Sequence, residues 1–133
     1  MDQRDHQLLA FRGGAIGDIL PQSSKEEIFQ NQTLRPILKL QNELFLESFI
    51  NYINKSKSDF YSFSTEKKMT FIDNAIHKDI KFRNALKGMV MGLFTIEEFR
   101  DYIQNSSSLN KRMMNLLIER LKDQVQLLIK REE

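Results

Sequence analysis

Ile37-Leu38-Lys39-Leu40-Gln41-Asn42-Glu43-Leu44-Phe45-Leu46-Glu47-Ser48-Phe49-Ile50-Asn51-Tyr52-Ile53 is the stretch on which the fold turns. Apolar residues recur along it three and four apart, the period of a helix. The apolar face is wider than one packing contact requires. A helix of this kind sits centrally or meets a second subunit.

Upstream, Ser24-Lys25-Glu26-Glu27 has the form of a capping box: the hydroxyl accepts from the backbone N–H three residues on, and Glu27 reaches back. Pro36 interrupts the helix so opened, so the chain kinks there or starts a second helix near Thr33. Downstream, residues 54–64 form a polar and aromatic connector that tucks Phe60, Tyr61 and Phe63 beneath it. Met69, Ile72, Ile76 and Ile80 then mark a helical stripe. Asp79 is placed to cap a fresh helix, leaving 66–93 as one kinked helix or two. Thr95-Ile96-Glu97-Glu98 is a second capping box, opening a short helix with Ile96, Phe99, Tyr102 and Ile103. Residues 105–108 end it and cap the last helix, at about 109–130, with Leu109, Met113, Leu117, Leu121, Val125 and Leu128 inward. No clean alternation flanked by turn dipeptides suggests a strand. The expected architecture is all-α: a compact single-domain bundle of roughly four to six helices over 24–133, behind an extended, flexible N-terminal arm at 1–23.

That arm holds Gly13, Gly14, Gly17 and Pro21 and no sustained helical period. Arg12-Gly13-Gly14-Ala15-Ile16-Gly17-Asp18-Ile19-Leu20 resembles the N-terminal signature of heptosyltransferase-like glycosyltransferases. The resemblance implies a phosphate-cradling loop between a strand and a helix of a βαβ unit. Pro21 follows closely and no parallel-strand pattern comes later, so the loop reads as arm.

The chain has 133 residues, 41% hydrophobic and 29% charged, enough for one core. It contains no cysteine, which excludes a disulfide framework, a thiolate zinc site, an iron–sulfur cluster and a cysteine nucleophile. A formal net charge of +2 is too even for a chain whose affinity comes from phosphates, so nucleic acid is not the expected partner. No apolar run approaches a membrane span, and the N-terminus lacks an export pattern; the expected location is the cytoplasm, without membrane contact.

Neither His6 nor His77 stands at a metal-ligand spacing. The pairs Glu26/Glu27 and Glu97/Glu98 fall in first helical turns, where they answer the helix dipole. Ser106, Ser107 and Ser108 sit at a helix start, where serines cap. No catalytic residue, metal or cofactor is expected. Two basic clusters are left as candidate contacts for an anion or a partner: His77, Lys81, Arg83, Asn84 and Lys87, and Asn110, Lys111 and Arg112 opening the last helix. Cations at a helix N-terminus oppose its dipole, a locally unfavourable choice that marks a contact. Ala85, Gly88 and Gly92 make a smooth strip suited to a close helix crossing or a partner's groove.

The segments Leu34–Lys39, Ile80–Gly88 and Ile103–Asn115 resemble a family of small, uncharacterised, all-helical bacterial proteins. The resemblance runs from Leu34 to Leu128. Some members carry the label glyoxalase, but that chemistry needs a β-rich metal cup with His and Glu ligands, and the helical part offers only His77. The expected function is a non-catalytic protein-interaction or homo-dimerising module. The alternative is a binder or enzyme for a small anionic metabolite, held between the 77–87 and 109–115 helices.

Overall fold

The computed structural model describes residues 1–131; Glu132 and Glu133, the end of the expected 24–133 domain, lie outside them. Among the described residues the chain is 76% helical, without a strand, in seven helices. They are α1 (Gln3–Arg12), α2 (25–40), α3 (Asn42–Ser56), α4 (Thr65–Lys78), α5 (Ile80–Met91), α6 (Ile96–Gln104) and α7 (Ser106–Asp123). No helix among these residues is long and apolar enough to cross a membrane.

Local chemistry sets most boundaries. Ser24, Ser64, Asp79 and Thr95 each accept a hydrogen bond from the N–H three residues on, opening α2, α4, α5 and α6. Asp79 therefore divides 66–93 into two helices. The last helix ends at Asp123, short of the expected 130. There Gln124 Nε2 donates back to the Arg120 carbonyl at 3.0 Å and to Asn42 Oδ1 at 2.8 Å.

Pro36 neither breaks α2 nor starts a new helix. It lacks an N–H, and its ring crowds the carbonyl four residues back. The chain accommodates it with a π turn over Gln30–Leu34, in which the Arg35 N–H reaches the Gln30 carbonyl. The carbonyls of Asn31 and Gln32 thereby lose their ordinary helical donors. The Ile16 N–H takes the first at 2.8 Å and Arg12 Nη2 takes the second at 3.5 Å.

Those bonds fasten the N-terminal segment, so the extended arm expected at 1–23 is not what forms. Residues 3–12 are a helix, capped by Asp2 and ended by Gly13 at φ 77°. Apolar period could not reveal it, because its two buried residues are Asp5 and Arg12. Gly17, at φ 98°, brings the backbone against the Asn31 side chain, where a Cβ would stand 3.0 Å away.

The core lies around α7, which packs on α2, α4, α5 and α6. Its Met113, Leu117 and Leu121 are buried with Leu34, Ile37, Phe45, Phe49, Ile53, Ile72, Ile76, Leu86 and Val90. The wide apolar face of 37–53 is therefore largely covered by the chain itself; Leu40 and Leu44 remain exposed. At one end Tyr52 stacks on Phe82, ring centroids 4.2 Å apart, and Phe60 is fully buried beneath the connector.

Candidate functional site

The short helix α6 organises the most polar part of the interior. Glu98 Oε1 accepts from the Thr95 N–H at 2.8 Å and Thr95 Oγ1 accepts from the Glu98 N–H at 3.1 Å, so this capping box is complete. Glu98 also receives both terminal nitrogens of Arg12, at 2.6 and 2.7 Å, and the Thr33 hydroxyl at 2.6 Å. The Arg12 side chain is 1% exposed, and its Nη1 also reaches the Leu93 carbonyl at 3.2 Å. Its Nε has no partner among the described residues. Burial pushes the Glu98 carboxyl up; the hydrogen bonds from Arg12, Thr33 and the Thr95 N–H outweigh it and hold the group below its ordinary value. Asp5 completes the arrangement by accepting the Ile96 N–H at 3.1 Å, at the positive end of the α6 dipole.

These ties hold α6 with Thr95, Glu98 and Tyr102 inward. Its apolar stripe consequently faces solvent: Ile96, Phe99 and Ile103 are 44%, 42% and 57% exposed. The opposite flank lines a cleft of about 630 Å³, in which Glu26, Glu97, Glu98 and Asp101 outnumber one basic side chain, Lys25.

His77 of the first basic cluster and Lys111 and Arg112 of the second line different clefts, which share Asn115 and Glu119 of α7. His77 is exposed at the end of α4, in a shallow cleft with Asp73, Glu119 and Lys122. Lys81 and Asn84 are exposed on α5, Lys87 is half-buried there, and Arg83 donates to the His77 carbonyl at 3.2 Å. Asn110 is occupied within the fold, accepting from the Tyr102 hydroxyl at 2.6 Å. Lys111 and Arg112 line a cleft of about 500 Å³ with Gln30 and Arg35 of α2, and no residue of 77–87 lines it. The helix facing the start of α7 across that cleft is thus α2. Among the described residues no three His, Asp or Glu side chains gather as metal ligands.

Ala85, Gly88 and Gly92 do not form a close helix crossing. All three are exposed, and a Cβ added at Gly88 would meet nothing within 4 Å. Helix α5 turns Leu86 and Val90 to the core instead, leaving the small-residue strip open.

Sequence reasoning missed Asp5, Arg12, Thr33 and Arg35. The available signal was Asp5 and Arg12, seven residues apart and so on one helical face, behind an N-capping Asp2. No family model, curated protein or solved structure matches this chain.

Proposed function

We propose that this chain is a non-catalytic interaction module, acting in the cytoplasm, that pairs with a second copy of itself through α6. The observation that supports it most is the outward stripe of Ile96, Phe99 and Ile103 on a helix that turns Glu98 and Tyr102 inward. Large apolar side chains grouped on one surface mark interaction sites.

The stripe is self-complementary. An antiparallel pairing of two α6 helices about a two-fold axis between Phe99 and Arg100 sets Ile96 against the partner's Ile103. The same axis brings Phe99 against its counterpart and Arg100 toward the partner's Glu97 at the rim. A single short helix on each side makes a contact at or below the low end of interface sizes, about 1,200 Å², so the dimer is weak and concentration-dependent.

Sedimentation equilibrium over a wide concentration range tests this. The wild-type chain is expected to show a reversible monomer–dimer equilibrium and Phe99→Asp to be monomeric. Arg100→Glu should weaken the dimer, and adding Glu97→Arg should restore it. A wild type that stays monomeric throughout, or a dimer indifferent to Phe99→Asp, overturns the reading.

A further inference from the structure

On another face, α2 and the start of α7 enclose the 500 Å³ cleft that Arg35, Lys111 and Arg112 line together with Gln30, Ser108 and Asn115. We infer that this cleft is a binding site for a small phosphate-bearing ligand, with Arg35, Lys111 and Arg112 as its charged contacts.

Unanswered positive charge carries the inference. Arg35, Lys111 and Arg112 form no ion pair among the described residues. Arg35 spends only Nε within the fold, on Asn31 Oδ1 at 2.9 Å, and Arg112 spends Nη1 on Gln30 Oε1 at 3.0 Å. Both guanidinium groups are thus oriented by neutral amides and keep further N–H donors for a ligand. Lys111 is exposed at the rim. Two carboxylates lie nearby: Glu119 lines the cleft, and Glu26, whose ionised form is favoured first by its backbone N–H and the Asn105 amide, is favoured to a lesser degree by the Arg112 charge. Three cations against one lining carboxylate leave the cleft net positive.

Like charges are also held together there. Arg120 lines an adjoining cleft that shares Arg35, Leu116 and Glu119. Burial, and then the repulsion of Arg35, disfavour its charged form, against the smaller attraction of Asp123. Glu119 and Asp123 line that cleft and offset part of the repulsion between the guanidinium groups; a bound dianion offsets more of it.

Helix α7 adds a donor set. Its N-capping residue, Asn105, donates its side-chain amide to Glu26 and makes no cap bond to α7. Among the described residues the first-turn N–H groups of this 18-residue helix therefore lack a side-chain acceptor, and Ser108 of that turn lines the cleft. Because α7 begins at Ser106, Lys111 and Arg112 stand in its second turn, beyond the first-turn reach of the helix dipole, and add their charge to the cleft without opposing the helix. The volume suits a ligand bearing one or two phosphate groups; pockets for small molecules span roughly 300–1,000 Å³.

Titration of the full chain with inorganic phosphate and with pyrophosphate, at constant ionic strength and followed by NMR, tests the inference. Expected are saturable shifts confined to Gln30, Arg35, Ser108, Lys111 and Arg112. Lys111→Gln, at an exposed position, should weaken binding about tenfold without changing the melting temperature, and Arg35→Gln at least as much. Shifts that fail to saturate, shifts centred elsewhere, or unchanged affinity in Lys111→Gln overturn it. Binding seen only with a single-stranded oligonucleotide, falling steeply with salt, also overturns it, in favour of a nucleic-acid face.

Discussion

Helices α6 and α7 look alike as sequence and are used oppositely. Both carry apolar residues at helical spacing: Ile96, Phe99, Tyr102 and Ile103 in one, Leu109, Met113, Leu117 and Leu121 in the other. In α7 all four are buried; in α6 only Tyr102 is. The difference lies in what each helix meets. Apolar faces of four other helices surround α7. Helix α6 meets α1, whose buried groups are a carboxylate and a guanidinium, and these engage its Ile96 N–H and its Glu98 side chain. An amphipathic pattern fixes that a helix has two faces; the neighbour decides which one turns inward.

Paired truncations break or sharpen this contrast most strongly. Leu117→Ala in α7 is expected to cost about 3–4 kcal/mol, since it opens a cavity in the core. Phe99→Ala in α6 is expected to cost the monomer under about 1 kcal/mol, as at other surface positions. Urea denaturation of both variants, at concentrations too low for dimer, checks the difference. Similar losses at the two positions would show that α6 is packed like α7.

Arg12→Ala comes next, at about 3 kcal/mol, the low end for breaking a buried pair because Glu98 keeps Thr33 and the Thr95 N–H. That stabilisation depends on pH in one direction. Glu98 ionises below its ordinary value of 4.5 in the folded chain, so the pair's contribution is complete above that value. It fades as the pH falls through the lower folded value. The gap between wild type and Arg12→Ala should therefore shrink in acid, while the Leu117→Ala gap carries no such term. Denaturation curves at neutral pH and near pH 3 measure this; a gap that widens in acid contradicts the role given to Glu98.

Gly88→Ala has the smallest expected effect and the opposite sign. With open space at the Cβ position, alanine should stabilise α5 by about 0.5–1 kcal/mol. A lower melting temperature in this variant would mean that the strip at Ala85, Gly88 and Gly92 is covered.

The legible parts of this chain are those fixed by apolar period and capping chemistry. The core from Leu34 to Leu121, the caps at Ser24, Asp79 and Thr95, and the aromatic tuck at Phe60 all follow from residues close in sequence. Helix α1 was illegible because its anchoring is electrostatic and distant: Arg12 meets Glu98, and Asp5 meets Ile96. The π turn was half legible. Pro36 announced a disturbance, but the Ile16 N–H and the Arg12 guanidinium that occupy the displaced carbonyls come from a segment with no apolar signal. The basic clusters were visible as residues, yet only the packing of α7 on α2 joins Lys111 and Arg112 to Arg35.

The claim that α6, held by Glu98 and Tyr102, presents its apolar stripe to a second copy has a direct geometric test. The chain has no cysteine, so Gln104→Cys, at an exposed position on α6, provides a unique site for a spin label. Antiparallel pairing about the axis between Phe99 and Arg100 places the two labelled positions about 15–20 Å apart, given 1.5 Å rise per residue and roughly 8–10 Å between helix axes. The account predicts a single short inter-label distance, lengthened only by the label arms, that vanishes on dilution and in Phe99→Asp. Absence of dipolar coupling at high concentration, or a distance that persists in Phe99→Asp, would contradict it.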